Sequence, residues 1–192
     1  EVIGDEEERL MQEADAVAAT SHELQNWSRP HNDEVRLLPN AVRLEDFPLV
    51  VPPPGRVCVG SVGAVDQRFD VETVTRVAES RPDWRFHFAG RVESQHVRRA
   101  GLPPNVRLWG EIPYHRVPRF LARLHAGFVP HRDQPLTRAQ DAVKRYEMLA
   151  AGLPVVMPPR PSMCGAKAHV QVYESADDAV RVLSRAVAED SL

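Results

Sequence analysis

From residue 56 onward the chain alternates short runs rich in Val and Phe with stretches of about ten residues whose apolar side chains recur every three or four positions. No other feature constrains the fold as much. A strand that must pass through a helix before the next strand cannot close a hairpin, so the strands lie parallel and the helices cover both faces. Strands are expected over 56–61, 85–89, 106–109, 127–130, 154–157 and 168–173, and helices over 71–80, 116–124, 142–151 and 176–188. The expected fold class is α/β, a doubly wound parallel sheet of Rossmann-like type. On such sheets ligands sit beyond the carboxyl ends of the strands, where helix amino termini offer unpaired N–H groups and partial positive charge.

The first fifty residues read differently. A helix over 6–14, a strand over 16–20, a short helix capped by Ser21 and a strand over 35–38 lead to Pro52-Pro53-Pro54-Gly55, which favours stiff, extended backbone. A boundary is expected there, with 1–50 an amino-proximal segment, 51–55 a linker and 56–192 the ligand-binding domain. The 24 basic and 27 acidic side chains leave a net charge of -3, so a nucleic-acid partner is not expected. The longest apolar run, 148–159, falls short of the roughly 20 residues of a bilayer span, so no transmembrane segment is expected. Two cysteines, Cys58 and Cys164, make neither a disulfide framework nor a zinc cluster, and a cytoplasmic setting is the simplest expectation. The first residue is Glu1, with no basic stretch preceding an apolar one, which suggests a piece of a longer protein. Lysine occurs only at Lys144 and Lys167, against 22 arginines.

Two loops carry chemistry. After the first domain strand come Gly60, Gly63 and Arg68, ending at Asp70, a candidate helix cap. Glycines let backbone approach an anion and Arg68 could neutralise a phosphate, although this is neither the three-glycine dinucleotide fingerprint nor a P-loop; a plain tight turn would use the same residues. The second is DAVKRYEMLAAGLPVV over 141–156, where Asp141 is placed to cap the helix and Gly152 to end it. Val143, Tyr146 and Ala150 are expected to face the sheet, leaving Asp141, Lys144, Glu147 and Met148 along another stripe. A cation and a carboxylate then meet at the crevice. They could hold a nucleoside diphosphate, with Lys144 and helix N–H groups on the phosphates and Glu147 on the ribose hydroxyls. The plain alternative is a surface ion pair worth about 0.2–0.5 kcal/mol. Of the eight histidines, His131 alone is placed to reach the phosphates or the sugar, following the strand over 127–130.

The ordered series formed by Leu38-Pro39-Asn40, the loop over 60–70, the segment 108–114, Gly127-Phe128-Val129-Pro130 and the Lys-x-x-Glu core before Ala-Ala-Gly-x-Pro-Val-Val resembles the carboxyl-terminal half of GT-B fold glycosyltransferases. The similarity is to family 4, group 1, which uses nucleoside-diphosphate sugars, and it covers nearly the whole chain. It implies that Glu147 holds the donor ribose, that Lys144 and Arg68 meet the donor phosphates, and that Gly110 and Tyr114 belong to the segment lining the base pocket. Gly63, Asp141 and His131 join them as candidate donor-binding residues. Two departures stand out: Ala139 occupies the place of the first glutamate of the Glu-x7-Glu motif, and Asn40-Ala41-Val42-Arg43 replaces Asn-Gly-Val-Asp. No catalytic residue is assigned.

The resemblance implies a sugar transferase acting on an acceptor hydroxyl in glycan or polysaccharide biosynthesis, without a cofactor or metal, since the nucleotide sugar is a substrate. Its expected partner is an amino-terminal acceptor-binding domain of the same protein, and the whole could lie at a membrane surface. The rival readings are a sugar-nucleotide epimerase of the same architecture and a noncatalytic interaction module.

Overall fold

Val59, Phe86, Phe88 and Phe128 are almost wholly buried and alternate along their strands with residues that face the opposite layer, the period-two pattern that holds a parallel sheet between two helical layers. The structure, a computed structural model, describes residues 2–160 and 169–189. Cys164, Lys167 and the expected strand start at Ala168 lie outside the described residues.

The amino-proximal segment folds as α1 (Val2–Glu13), β1 (Val17–Ala19), α2 (His22–Ser28) and β2 (Val35–Leu37). β1 and β2 pair in parallel, and the Ser21 hydroxyl accepts from the Leu24 N–H at the start of α2, as its position predicts. The domain that follows contains β3 (Cys58–Val62), α3 (Val71–Ser80), β4 (Arg85–Ala89), α4 (Gln95–Arg99), β5 (Val106–Leu108) and α5 (Val117–Leu121). It continues with β6 (Ala126–Phe128), α6 (Pro135–Ala139), α7 (Val143–Ala150), β7 (Val155–Met157), β8 (Val170–Val172) and α8 (Ala176–Glu189). β3 to β8 form one parallel sheet in the order β5-β4-β3-β6-β7-β8. The expected fold class therefore holds. Direction reverses between β3 and β6, which opens a crevice at their carboxyl ends.

Apolar layers cover both faces. One includes Val74 of α3 and Leu183 of α8; the other includes Leu121 of α5, Met148 of α7 and Phe47 from the amino-proximal segment. Asp70 caps α3 by accepting from the Thr73 N–H, and Gly152 ends α7 at φ +82°, both as expected. The short helices α4 and α6 have no counterpart in the periodicity, because five residues carry too little pattern to register.

Candidate functional site

Backbone bonds between loops bring the site residues together. The Gly63 N–H donates to the Ala89 carbonyl and the Gly90 N–H to that of Gly110, at 2.8 and 2.7 Å. The Asp70 N–H donates to the Pro130 carbonyl at 2.8 Å and the Arg132 N–H to the Arg68 carbonyl at 2.7 Å. The loop after β3 is thereby stitched to those after β4 and β6, so Arg68 and His131 become neighbours although far apart in the chain. At Gly63, with φ +129°, a Cβ would lie 2.6 Å from Lys144 Nζ. Glycine there keeps both the strained backbone and the space the ammonium occupies.

Charge is concentrated at this point. Lys144, in the first turn of α7, places Nζ 3.3 Å from His131 Nε2. Burial, and then the Arg68 guanidinium, push the lysine down to about 8. His131 is buried; burial first, then Lys144, Arg160 and Arg68, push its imidazole down to about 2, so the ring is neutral and accepts from the ammonium. Arg68 lies against Asp66, its Nε donating to both carboxylate oxygens at 2.9 Å, while Nη1 donates to Gln140 Oε1 at 2.9 Å. Burial opposes the Asp66 charge, yet the Arg68 partnership outweighs it and holds the carboxyl below its ordinary value. Glu147 is buried as well, and that burial raises its carboxyl above the usual range, against the pull of the Tyr114 hydroxyl and the Lys144 ammonium.

Beside these groups opens a cleft of about 790 Å³ lined by Gly63, Ala64, Gly90, Glu111, Ile112 and Tyr114, among others. Gly110, at φ +72°, turns the chain so that 111–114 form the far wall, and Tyr114 stands 62% exposed at the rim. Cations, first-turn N–H groups of α7 and a carboxylate one turn on suit an anion with a neighbouring pair of hydroxyls. The structure thus brings together Gly63, Arg68, His131, Lys144, Glu147, Gly110 and Tyr114. Among the described residues no group of three or more His, Cys, Asp or Glu side chains could hold a metal.

Asp141 is a correction. The N-cap of α7 is Ala142, with no side-chain cap bond. Asp141 instead lies buried, accepting from Arg145 Nη2 at 2.8 Å, the Tyr146 hydroxyl at 2.9 Å and the Asn40 N–H at 3.1 Å. Its oxygens tie the amino-proximal segment to α7. The expected inward face of α7 is corrected too: Val143 is 43% exposed, whereas Arg145, Glu147 and Met148 are the buried ones. Gly127 makes this possible, since a Cβ there would sit 2.4 Å from Met148 Sδ. Ala139 lies on α6 against α2, its carbonyl accepting from the Ser21 hydroxyl at 2.6 Å, away from the cleft. Arg160, just past β7, went unnoticed in the sequence. It is 6% exposed, its two terminal nitrogens have no hydrogen-bond partner among the described residues, and burial lowers its proton affinity. Its charge acts on His131 and Lys144, and only its place after a buried strand could have marked it.

Residues 53–187 match the family described as glycosyl transferases group 1. The chain is 27% identical over 173 residues to TuaH of Bacillus subtilis (strain 168), a protein named for teichuronic acid biosynthesis glycosyltransferase activity, covering 81% of this chain and 43% of that one. In fold it resembles a sucrose-phosphate synthase from Thermosynechococcus elongatus, with a TM-score of 0.68, 18% identity and coverage of 96% and 52%. It also resembles TarM of S. aureus, solved with UDP, with a TM-score of 0.66, 14% identity and coverage of 96% and 41%. The chain therefore spans about half, or less, of the length of each of these proteins. No helix among the described residues is long and apolar enough to cross a membrane.

Proposed function

The chain belongs to the group 1 glycosyl transferases, and we propose that its cleft holds a nucleoside-diphosphate sugar whose sugar is moved to an acceptor hydroxyl in polysaccharide biosynthesis. The observation that carries this reading is the Lys144 ammonium lodged in the space left by Gly63, one turn from Glu147, whose carboxyl the Tyr114 hydroxyl meets. The base lies along 110–114, the ribose hydroxyls donate to Glu147, and the diphosphate meets Lys144, Arg68, Arg160 and the first N–H groups of α7. As the glycosidic bond breaks, negative charge grows on the diphosphate, and cations already in place stabilise it without reorganising. His131, neutral, orients the lysine and adds no charge of its own. The nucleotide sugar is a substrate, and the reading calls on no cofactor. The acceptor would be presented by a second domain of the same protein, closing over the cleft to exclude water. UDP bound to the TarM relative supports a nucleotide of this class.

Calorimetric titration with UDP, GDP and ADP tests the reading. One of them should bind with clear preference, and a flat response to all three removes it. In the nucleotide-binding protein, Glu147→Ala should weaken affinity by about 1–2 kcal/mol, roughly five- to thirtyfold, through the lost ribose bonds; an unchanged dissociation constant returns Glu147 to a structural role. Arg160→Met should separate stability from function. Removing a buried charge raises the melting temperature, while nucleotide affinity falls. A variant that binds as tightly as the parent takes Arg160 out of the site.

A further inference from the structure

Strands β4 and β5, the latter at the edge of the sheet, carry an arginine face that the donor cleft does not use. On β4, Arg85 and His87 alternate with buried Phe86 and Phe88, and register sets His87 beside Arg107 of β5. Arg107 Cζ lies 4.1 Å and Arg123 Cζ 5.3 Å from the Trp109 ring centre, and the His87 ring stands 5.6 Å from that of Trp109. Two concavities meet around this tryptophan. One, of about 410 Å³, is lined by residues including Arg56, Arg85, His87 and Arg107; the other, of about 390 Å³, by residues including Trp109, Arg116, Arg119 and Arg123.

Arg56, Arg85, Arg107, Arg116, Arg119 and Arg123 form no ion pair with any described residue. Elsewhere the chain pairs its arginines readily, as Arg43 with Glu45, Arg76 with Asp177 and Arg138 with Asp133. A protein of net charge -3 has thus gathered six uncompensated cations on one side. Two buried nitrogens within the face, Trp109 Nε1 and His87 Nδ1, lack hydrogen-bond partners among the described residues. Buried polar atoms normally have partners, and these two lie where the guanidinium groups converge.

We propose that this face is a second anion site that binds closely spaced phosphate groups, carried either by a soluble polyphosphate or nucleotide or by a phospholipid headgroup. Guanidinium forks match phosphate oxygens in pairs, and the concave shape suits a compact group. None of the large apolar residues that the chain exposes lies on this face, so binding is electrostatic and does not rest on insertion. Ile112 lines both the second concavity and the donor cleft, so an occupant there touches the wall of the donor site.

The Trp109 indole N–H is a local reporter in ¹⁵N NMR. Inorganic pyrophosphate should shift that resonance, and Arg107→Gln with Arg123→Gln should weaken the response roughly tenfold or more, while UDP affinity at the cleft stays as in the parent. In a second arm, phosphatidylglycerol vesicles should sediment the protein where phosphatidylcholine vesicles do not, with retention lost in the same double variant and at high salt. A pyrophosphate response assigns a soluble ligand. Retention on phosphatidylglycerol alone assigns a headgroup. No response in either arm, or a response that survives the double substitution, overturns the proposal. Loss of UDP binding in the parent would instead count against the donor reading, on which this site does not depend.

Discussion

Asp141→Ala is expected to cost about 3–5 kcal/mol of folding free energy, a large share of the 5–15 kcal/mol that holds a typical domain together. The side chains of Asp141 and Arg145 are 0% and 1% exposed. Deleting the carboxylate removes the ion-pair partner 2.8 Å from an interior guanidinium, and also removes an acceptor from the Tyr146 hydroxyl and the Asn40 N–H. The urea midpoint should fall accordingly with an unchanged slope. The seam between the amino-proximal segment and α7 loses the Asn40 N–H bond to the carboxylate and keeps only the Asn40 side-chain bond to the Asp141 main-chain carbonyl at 2.6 Å, so it loosens. α7 carries Lys144 and Glu147, so nucleotide affinity should fall even under conditions where the variant stays folded. Replacing the pair together, Asp141→Ala with Arg145→Met, should recover much of the stability, since the uncompensated charge goes too. A loss below about 1 kcal/mol in the single variant would show that the pair is dispensable.

What was legible in the sequence follows from the range of the forces involved. The strands at β3, β4 and β6 could be read because Val and Phe repeat locally, and Asp70 and Gly152 because a cap or a left-handed turn is settled within three or four residues. Lys144 and Glu147 were readable because both lie on one helix and helical spacing alone aligns them. Asp141 was misread as a cap for a complementary reason: its carboxylate turns to Arg145 and Tyr146 and to Asn40, which is 101 positions away, and no periodicity reports that last contact. The buried face of α7 was inverted because the space for Met148 is created by Gly127 on another element, so apolarity on the helix itself was a poor guide. Arg160 escaped because proline on its amino side reads as loop, and no local pattern marks an arginine there as buried. The arginine face of β4 and β5 left no mark in the sequence reading, because which side chains share it depends on the register between two strands.

Lys144 supplies the second large effect, through pH. Burial and Arg68 hold its ammonium at about 8, below the 10.4 or so of a free lysine, so at neutral pH the free site carries the charge at a cost that a bound diphosphate repays. Affinity for UDP should be greatest between the last phosphate ionisation, near pH 6, and pH 8. Above that it should fall by up to about tenfold per pH unit, because binding must then take up a proton. Stability changes in the opposite sense. The folded value lies under the unfolded one, so the unfolded chain binds more protons between pH 8 and about 10, and this group's contribution to folding improves as pH rises through that window. Lys144→Met should abolish both trends, weaken UDP binding at pH 7 by about 1.5–3 kcal/mol through the lost charged contact, and leave the protein at least as resistant to heat. His131 cannot produce the same curve, because its imidazole, near 2, is neutral across the whole range. A UDP affinity that stays level from pH 7 to 9.5 would therefore place the ammonium away from the phosphates, whatever else binds in the cleft.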